Sequence, residues 1–472
     1  MKKVKHLVSV LLGLSLLMTV ICMYFTFSLT VLLLLPSLLI LIVVAIPILI
    51  SKDVDLFSPL PYLFYFLFLH VFLRTLYIIN DVPDEETIND IFLLGKTKES
   101  LLFPLIIFLI GFVSMSIGYM NKPISFWKSN TILDVNNWNN TRFNIVISVA
   151  IVISVCALYK FVTISIDSIF LLAVENASSY RGLSDDLADY NSNGYLRFLI
   201  QFSDIVFYLT FVKHILSKKK SKFNVLILCV SFLVSVSFYF FVQSRASMML
   251  LFINPIVLRY YLVKKGVNAL RVTVIAVICL SFFGFVTSLR VGSGYSQDKL
   301  DILYPVHALE PLIVNNGGID VSKTGHIINY IDKNNDLRFG NTFSWIFIAW
   351  IPRGFWPEKP VNLDTEVGMK IYGATTYGSG AVPPGLFVEL YWNFWFIGII
   401  IGSWVAGLVL KTVHNYFITK NRGVNDTVTY VLCFMPIGLG LFGSSINSVI
   451  AGLVFSIIPL KIAFLFITQK NK

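Results

Sequence analysis

Apolar runs of about twenty residues, separated by short polar interruptions, recur from the N-terminal region to the last residues of the chain. A helix needs roughly 20 residues to cross the hydrocarbon core of a bilayer. The pattern therefore predicts about twelve spans, at 7–27, 29–50, 59–79, 101–120, 143–163, 196–217, 223–243, 247–264, 270–289, 385–411, 427–444 and 449–468. The expected fold class is all-α, a polytopic membrane protein of about twelve transmembrane helices. The interruptions alternate in charge. Lys2, Lys3 and Lys5, then Lys122, Lys128 and Arg142, Lys218 to Lys222, Lys264, Lys265 and Arg271, Lys411, Lys420 and Arg422, and Lys470 with Lys472 fall on one side. The opposite loops are acidic, with Asp81, Asp84, Glu85, Glu86, Asp90 and Glu99 in 80–100 and Asp185, Asp186 and Asp189 in 164–195. Positive charge accumulates on cytoplasmic loops, so both termini are expected inside and the long segment 291–384 outside.

The chain thus divides into spans 1–9 over 1–290, one large extracytoplasmic loop over 291–384, and spans 10–12 over 385–472. Phe343 to Ile351 (FSWIFIAWI) is apolar but too short to span, and Pro352 ends any helix there. It reads either as a buried loop or as a re-entrant or interfacial helix holding Arg353 and Trp356 at headgroup level. No internal repeat stands out, and the cytoplasmic loops are too short for a soluble domain.

Composition sharpens this picture. With 56% hydrophobic and 13% charged residues, the chain has too little polar surface for a soluble domain. Topology explains the formal charge of +11, which excludes a nucleic-acid reading. The opening Met1-Lys2-Lys3-Val4-Lys5 imitates a secretory signal, but a second apolar run follows without a small-residue cleavage site, so an uncleaved first span is expected. All five cysteines lie in apolar stretches, and no metal-ligand spacing, Walker glycine loop or nucleophile elbow occurs. No metal or cofactor is expected.

Candidate chemistry gathers at the predicted outer ends of spans. Arg74, Lys160, Arg245, Arg290 and Arg353 are suited to a phosphate or pyrophosphate in a partly dry site, the arginines by their planar two-donor fork; Arg74 and Lys160 also fit interfacial snorkelling. Arg245 stands in a very short outer turn, against the charge bias, and so calls for an anionic partner. Trp345, Trp350 and Trp356, with Asn362, Asp364 and Glu366, offer aromatic faces and hydrogen-bonding groups of the kind that hold sugars, or a membrane-interface belt. Glu389 and Asn393 share a helix face at the start of the tenth span. An intramembrane carboxylate there would serve as a base or neutralise an arginine. Gly398 and Gly402 indicate close helix packing. His307, His326, Asp301 and Glu310 lie in the loop without metal spacing.

Ile351 to Pro360 (IPRGFWPEKP) resembles the IPR-x-x-WP-x-KP signature of the O-antigen and capsular polysaccharide repeat-unit polymerases, the Wzy-type family. The likeness extends to Gly340-Asn341-Thr342, to the Gly-to-Glu stretch Pro383 to Phe394, and to the turn at Ser244-Arg245. Gly354 replaces a more usual Ser or Ala, Phe394-Trp395-Phe396 replaces a Phe-Gly pair, and Arg353 meets Asp364 where some members carry glycine.

The resemblance implies a GT-C-like architecture and a metal-independent glycosyltransferase of the bacterial cytoplasmic membrane. Its substrates would be undecaprenyl-pyrophosphate-linked oligosaccharides, one donating its reducing end to a hydroxyl of another, in the company of the pathway's flippase and chain-length regulator. Under it, Arg245, Arg290 and Arg353 face the pyrophosphates, Trp356, Lys359, Asn393 and Arg74 contribute to substrate binding, Glu389 is the base and His307 the reserve. A lipid-linked oligosaccharide flippase and an O-antigen-type ligase are the competing readings.

Overall fold

The computed structural model describes residues 2–25, 29–51, 54–81, 98–124, 138–161, 194–217, 221–242, 244–263, 319–349, 351, 355–356, 358–373, 381–419 and 423–468. Among these the chain is helical, with one isolated bridge, Trp138 to Thr468, and no strand. The helices are α1 (Lys2–Phe25), α2 (Leu34–Ile50), α3 (Pro59–Leu67), which runs through a π turn at Phe68–Leu73 into α4 (Arg74–Asp81), α5 (Leu102–Met120), α6 (Asn140–Phe161), α7 (Gly194–Ile200), α8 (Phe202–Leu216), α9 (Lys222–Val242) and α10 (Arg245–Val263). After them come three loop helices, α11 (Val321–Asn334), α12 (Trp345–Ile348) and α13 (Leu363–Ile371). The chain closes with α14 (Leu386–His414), α15 (Val424–Thr429), which continues through a π turn at Tyr430–Phe434 into α16 (Met435–Gly443), and α17 (Ile446–Ile467).

Nine of the predicted spans are, among the described residues, helices long and apolar enough to cross a membrane: Val4–Tyr24, Val31–Ile50, Pro59–Ile79, Leu102–Met120, Asn140–Phe161, Leu196–Leu216, Lys222–Phe241, Leu386–Ile418 and Ile446–Ile467. Two more are helical but shorter or broken, the apolar stretch Ser247–Val263 in α10 and the α15–α16 pair. The predicted span at 270–289 lies outside the described residues. The protein is an all-α, multi-pass membrane protein. Its helices are apolar on both faces: Leu16, Val20, Ile397, Ile401 and Leu465 point outward and exposed, which suits a lipid surround and would be a liability in water.

Two apolar clusters build the interior. The first joins α1–α5, α11, α13, α14 and Phe442 of α16; the second joins α6–α10, α15, α17 and the rest of α16. Away from the long loop, Asp55 clamps the two together. Its carboxylate accepts from the Tyr261 hydroxyl of α10 at 2.9 Å and lies 3.4 Å from the His414 Nε2 of α14.

Helix α14 differs from the single tenth span expected. Phe394 (φ −143°) and Trp395 (φ 56°) are not helical. Before them, Phe387 packs against Phe112, with ring centroids 4.8 Å apart; after them, Phe396 packs against Phe103 at the start of α5, 6.3 Å away. Phe103 and Phe112 are separated by about 13 Å along a helix axis, so the chain first climbs α5 and then descends it. The limbs touch. A Cβ on Gly398 would meet the Leu390 carbonyl, and one on Gly402 the Leu390 side chain. Leu386–Asn393 is therefore a re-entrant half-helix folded back on the spanning limb from Phe396 onward.

The spanning limb packs against α5 at backbone distance. A Cβ at Gly118 would strike the Trp404 carbonyl, and one at Gly407 the Met115 carbonyl, the small-residue packing that membrane helices use. Gly407→Leu is expected to cost about 1–3 kcal/mol through overpacking. The check is a lower thermal midpoint and a lower yield of monodisperse protein in detergent.

Candidate functional site

At the top of the re-entrant limb the helix runs out of amides, and a loop supplies them. Arg338 N–H donates to the Trp392 carbonyl at 2.9 Å and Phe339 N–H to the Asn393 carbonyl at 3.2 Å, pairing carbonyls that a helix end leaves open. Phe339 (φ 49°) and Gly340 (φ 88°) are left-handed, which turns the chain sharply and costs a residue with a side chain more than glycine. The turn points Gly340 N–H at Asn393 Oδ1, 2.8 Å away.

Glu389 and Asn393 then share one partner, Thr342. Asn393 Nδ2 donates to Thr342 Oγ1 at 2.7 Å and to the Glu389 carbonyl at 2.8 Å. Thr342 Oγ1 donates to Glu389 Oε1 at 2.9 Å. Oε2 of the same carboxylate accepts the Ile446 N–H at 2.6 Å, at the N-terminus of α17, where backbone donors are unpaired and favour negative charge. Asn447 Nδ2 closes the cluster on the Thr342 carbonyl. Glu389, Asn393 and Asn447 have no exposed surface. Glu389 thus works as a bracket between the loop, the re-entrant limb and α17, and no arginine is its hydrogen-bond partner among the described residues.

A second layer of buried charge lies beside this cluster. Asp364, in the first turn of α13, accepts from Ser445 N–H at 3.2 Å and from the Ser448 hydroxyl at 2.8 Å. Burial lifts its carboxyl above the ordinary range, opposed by those serines and by Lys323. Burial likewise pushes the Lys323 ammonium below its ordinary value, against the pull of Asp320 and Asp364. Asp320 caps α11, accepting from Ser322 and Lys323 N–H at 2.9 and 3.2 Å. Its other oxygen lies 3.6 Å from the Arg74 guanidinium, and both side chains are fully buried. Arg74 is the first residue after the π turn, whose extra residue shifts the helix face.

The signature segment is held by its own lysine. Lys359 Nζ donates to the carbonyls of Ala349 (2.9 Å) and Ile351 (3.0 Å) and lies 4.9 Å above the Trp345 ring, while Trp345 Nε1 donates to the Pro360 carbonyl. Trp356 stays partly open, and Phe347 and Phe355 are 80% and 85% exposed. None of the described residues of FSWIFIAWI is buried, those of α12 included.

The fold accordingly brings Glu389 and Asn393 into one cluster, with Arg74 in the adjoining charged layer and Lys359 closing the loop that follows α12. Arg74 is not snorkelling at an interface. Arg290, His307 and Arg353 lie outside the described residues, and of Arg245 only the backbone, at the first turn of α10, is described. Sequence reading missed Asp320, Lys323, Arg338 and Ser445 as partners. Two local signals point to some of them: Asp320-Val321-Ser322-Lys323 has an N-cap pattern, and Ser444-Ser445-Ile446-Asn447-Ser448 is a polar knot between apolar runs.

Arg338 adds a partly exposed cation, 5.2 Å from the Trp392 ring centroid and 2.7 Å from Glu366. Burial raises the Glu366 pKa, but Lys370 and Arg338 more than offset it and hold the carboxyl below its ordinary value. The sign follows: this pairing stabilises the fold above the ordinary glutamate range and is lost as pH falls through the lower folded value. Thermal midpoints from pH 6 down to pH 3 should fall more steeply for the wild type than for Glu366→Gln, whose contribution does not titrate.

Comparison with family models, curated proteins and solved structures finds no match for this chain.

Proposed function

We propose that this protein polymerises undecaprenyl-pyrophosphate-linked oligosaccharide repeat units at the outer face of the bacterial cytoplasmic membrane. One observation carries the reading. The segments that resemble the polymerase family are distant in sequence, yet Gly340 and Thr342 from one, and Glu389 and Asn393 from another, form a single buried cluster, beside the loop that Lys359 closes. Such a cluster ties the loop to the re-entrant limb and to α17, the fixed framework that precise positioning of two large substrates demands.

In this reading an acceptor hydroxyl attacks the sugar carbon that bears the pyrophosphate, that carbon–oxygen bond breaks, and the lipid pyrophosphate leaves. The leaving group is already good, so the protein chiefly stabilises negative charge and accepts one proton. The proposed cations are Arg245, Arg290 and Arg353. Glu389 is the candidate base, with His307 in reserve, and the bonds of Glu389 to Thr342 and the Ile446 amide give it a positioning role as well.

Removing the gene from its host tests this. The expected phenotype is single repeat units on the cell surface, with the ladder of longer chains restored by this chain on a plasmid. An unchanged ladder rejects the proposal, and lipid-linked units trapped inside the cell would favour a flippase.

A further inference from the structure

Helix α12 and the described residues that follow it leave apolar surface open. Phe347, Ile351 and Phe355 are all exposed, which in water would be a liability. The depth of this surface in the membrane follows from two neighbours.

The first neighbour is the turn between the two limbs of α14. The span Leu102–Met120 is 19 residues long, close to the thickness of the hydrocarbon core, so its first turn marks one boundary of that core. Phe396 packs against Phe103 in this turn, which puts Phe394 and Trp395 at the same level. The ring of Phe343, just before α12, lies 6.5 Å from the ring of Phe394.

The second neighbour is α17. Asn447 in its first turn donates to the Thr342 carbonyl, and α12 packs against the same helix. The adjacent Ile446 amide bonds Glu389, about 7 Å down the re-entrant limb from Phe394. Helix α12 thus starts beside two limbs that expose apolar side chains of their own, Ile397 and Ile401 on α14 and Ile458 and Ile462 on α17.

The backbone of this region is also closed by the protein itself. Ala349 and Ile351 N–H donate to the Trp345 and Ile348 carbonyls at 2.9 and 3.1 Å. Lys359 Nζ covers the Ala349 and Ile351 carbonyls, and Trp345 Nε1 covers that of Pro360. A bilayer demands such internal satisfaction of backbone groups; a loop in water does not.

We propose that α12, with Phe347, Ile351 and Phe355, is embedded in the lipid leaflet in which α5 and α17 begin, its apolar side chains among the ends of the acyl chains nearest the headgroups. The partner of this surface is the bilayer, because the surface continues the apolar exterior of α14 and α17. This placement stands independently of the polymerase reading.

The test places the photoreactive residue p-benzoylphenylalanine in the full chain at Phe347 or Phe355, one position at a time. Each protein is reconstituted in vesicles of phosphatidylethanolamine and phosphatidylglycerol that carry a radioactive lipid. The same replacement at Ile401, on the spanning limb, is the lipid-facing control, and at Asn334, exposed at the end of α11, the aqueous one. On irradiation, lipid should attach at Phe347 and Phe355 about as much as at Ile401 and severalfold more than at Asn334. Two positions are read so that a folding defect at one leaves the other. Attachment no greater than at Asn334 would overturn the proposal, and so would a cross-linked dimer of the chain in place of lipid.

Discussion

Arg74→Leu should cost about 3–5 kcal/mol of stability, the loss expected when one partner of a buried ion pair is removed and the other stays. Asp320 would keep its charge with no exposed surface, its guanidinium partner at 3.6 Å gone. Asp320→Asn should also destabilise, because asparagine still caps α11 while Arg74 loses this carboxylate. Combining the two removes the pair as a unit, so the double variant should lose less than the sum of the single losses. Such non-additivity is what groups in direct contact show. Thermal midpoints of the four proteins in one detergent measure it. If the losses simply add, the two residues do not act as a pair. The consequence reaches the site, since Asp320 starts α11 and faces Lys323 and, through it, Asp364. This layer seats the long loop on the bundle.

The helical class was legible in the sequence because hydrophobic length is a coarse signal that tolerates boundary errors. Nine of the twelve predicted stretches are long apolar helices among the described residues. The re-entrant limb was hidden for a physical reason. Hydropathy sees composition, and Leu386 to Ile401 is apolar on both sides of a turn made by Phe394 and Trp395, residues that do not ordinarily punctuate helices. Gly398 and Gly402 carried the trace, correctly indicating close packing, but spacing alone does not reveal that their neighbour is Leu390 of the same segment. The i, i+4 relation of Glu389 and Asn393 correctly placed both on one face. Their shared partner, Thr342, became visible only in three dimensions, because a contact across 47 residues leaves no periodicity to read.

That contact separates two roles for Glu389. Glu389→Ala would leave the Thr342 hydroxyl and the Ile446 amide without their acceptor, each buried loss worth about 1–3 kcal/mol, and polymer should disappear in favour of single repeat units. Glu389→Gln keeps an oxygen for the Ile446 amide and nearly the same volume, and loses the acceptor facing Thr342. If Glu389 positions the loop, the Gln variant should keep polymer formation within about tenfold of wild type, a penalty near 1.4 kcal/mol. A carboxylate that takes the proton itself cannot be replaced this way: general-base loss costs about 10²–10⁴-fold, and the Gln and Ala variants would then be equally silent. Polymer length and rate from the two variants, normalised to folded protein in the membrane, decide between bracket and base. Thr342→Val sharpens the result, since it removes the shared hydroxyl while leaving the Glu389 carboxylate in place. Under the positioning role it should resemble Glu389→Gln, whereas a base freed from Thr342 would retain most of its activity.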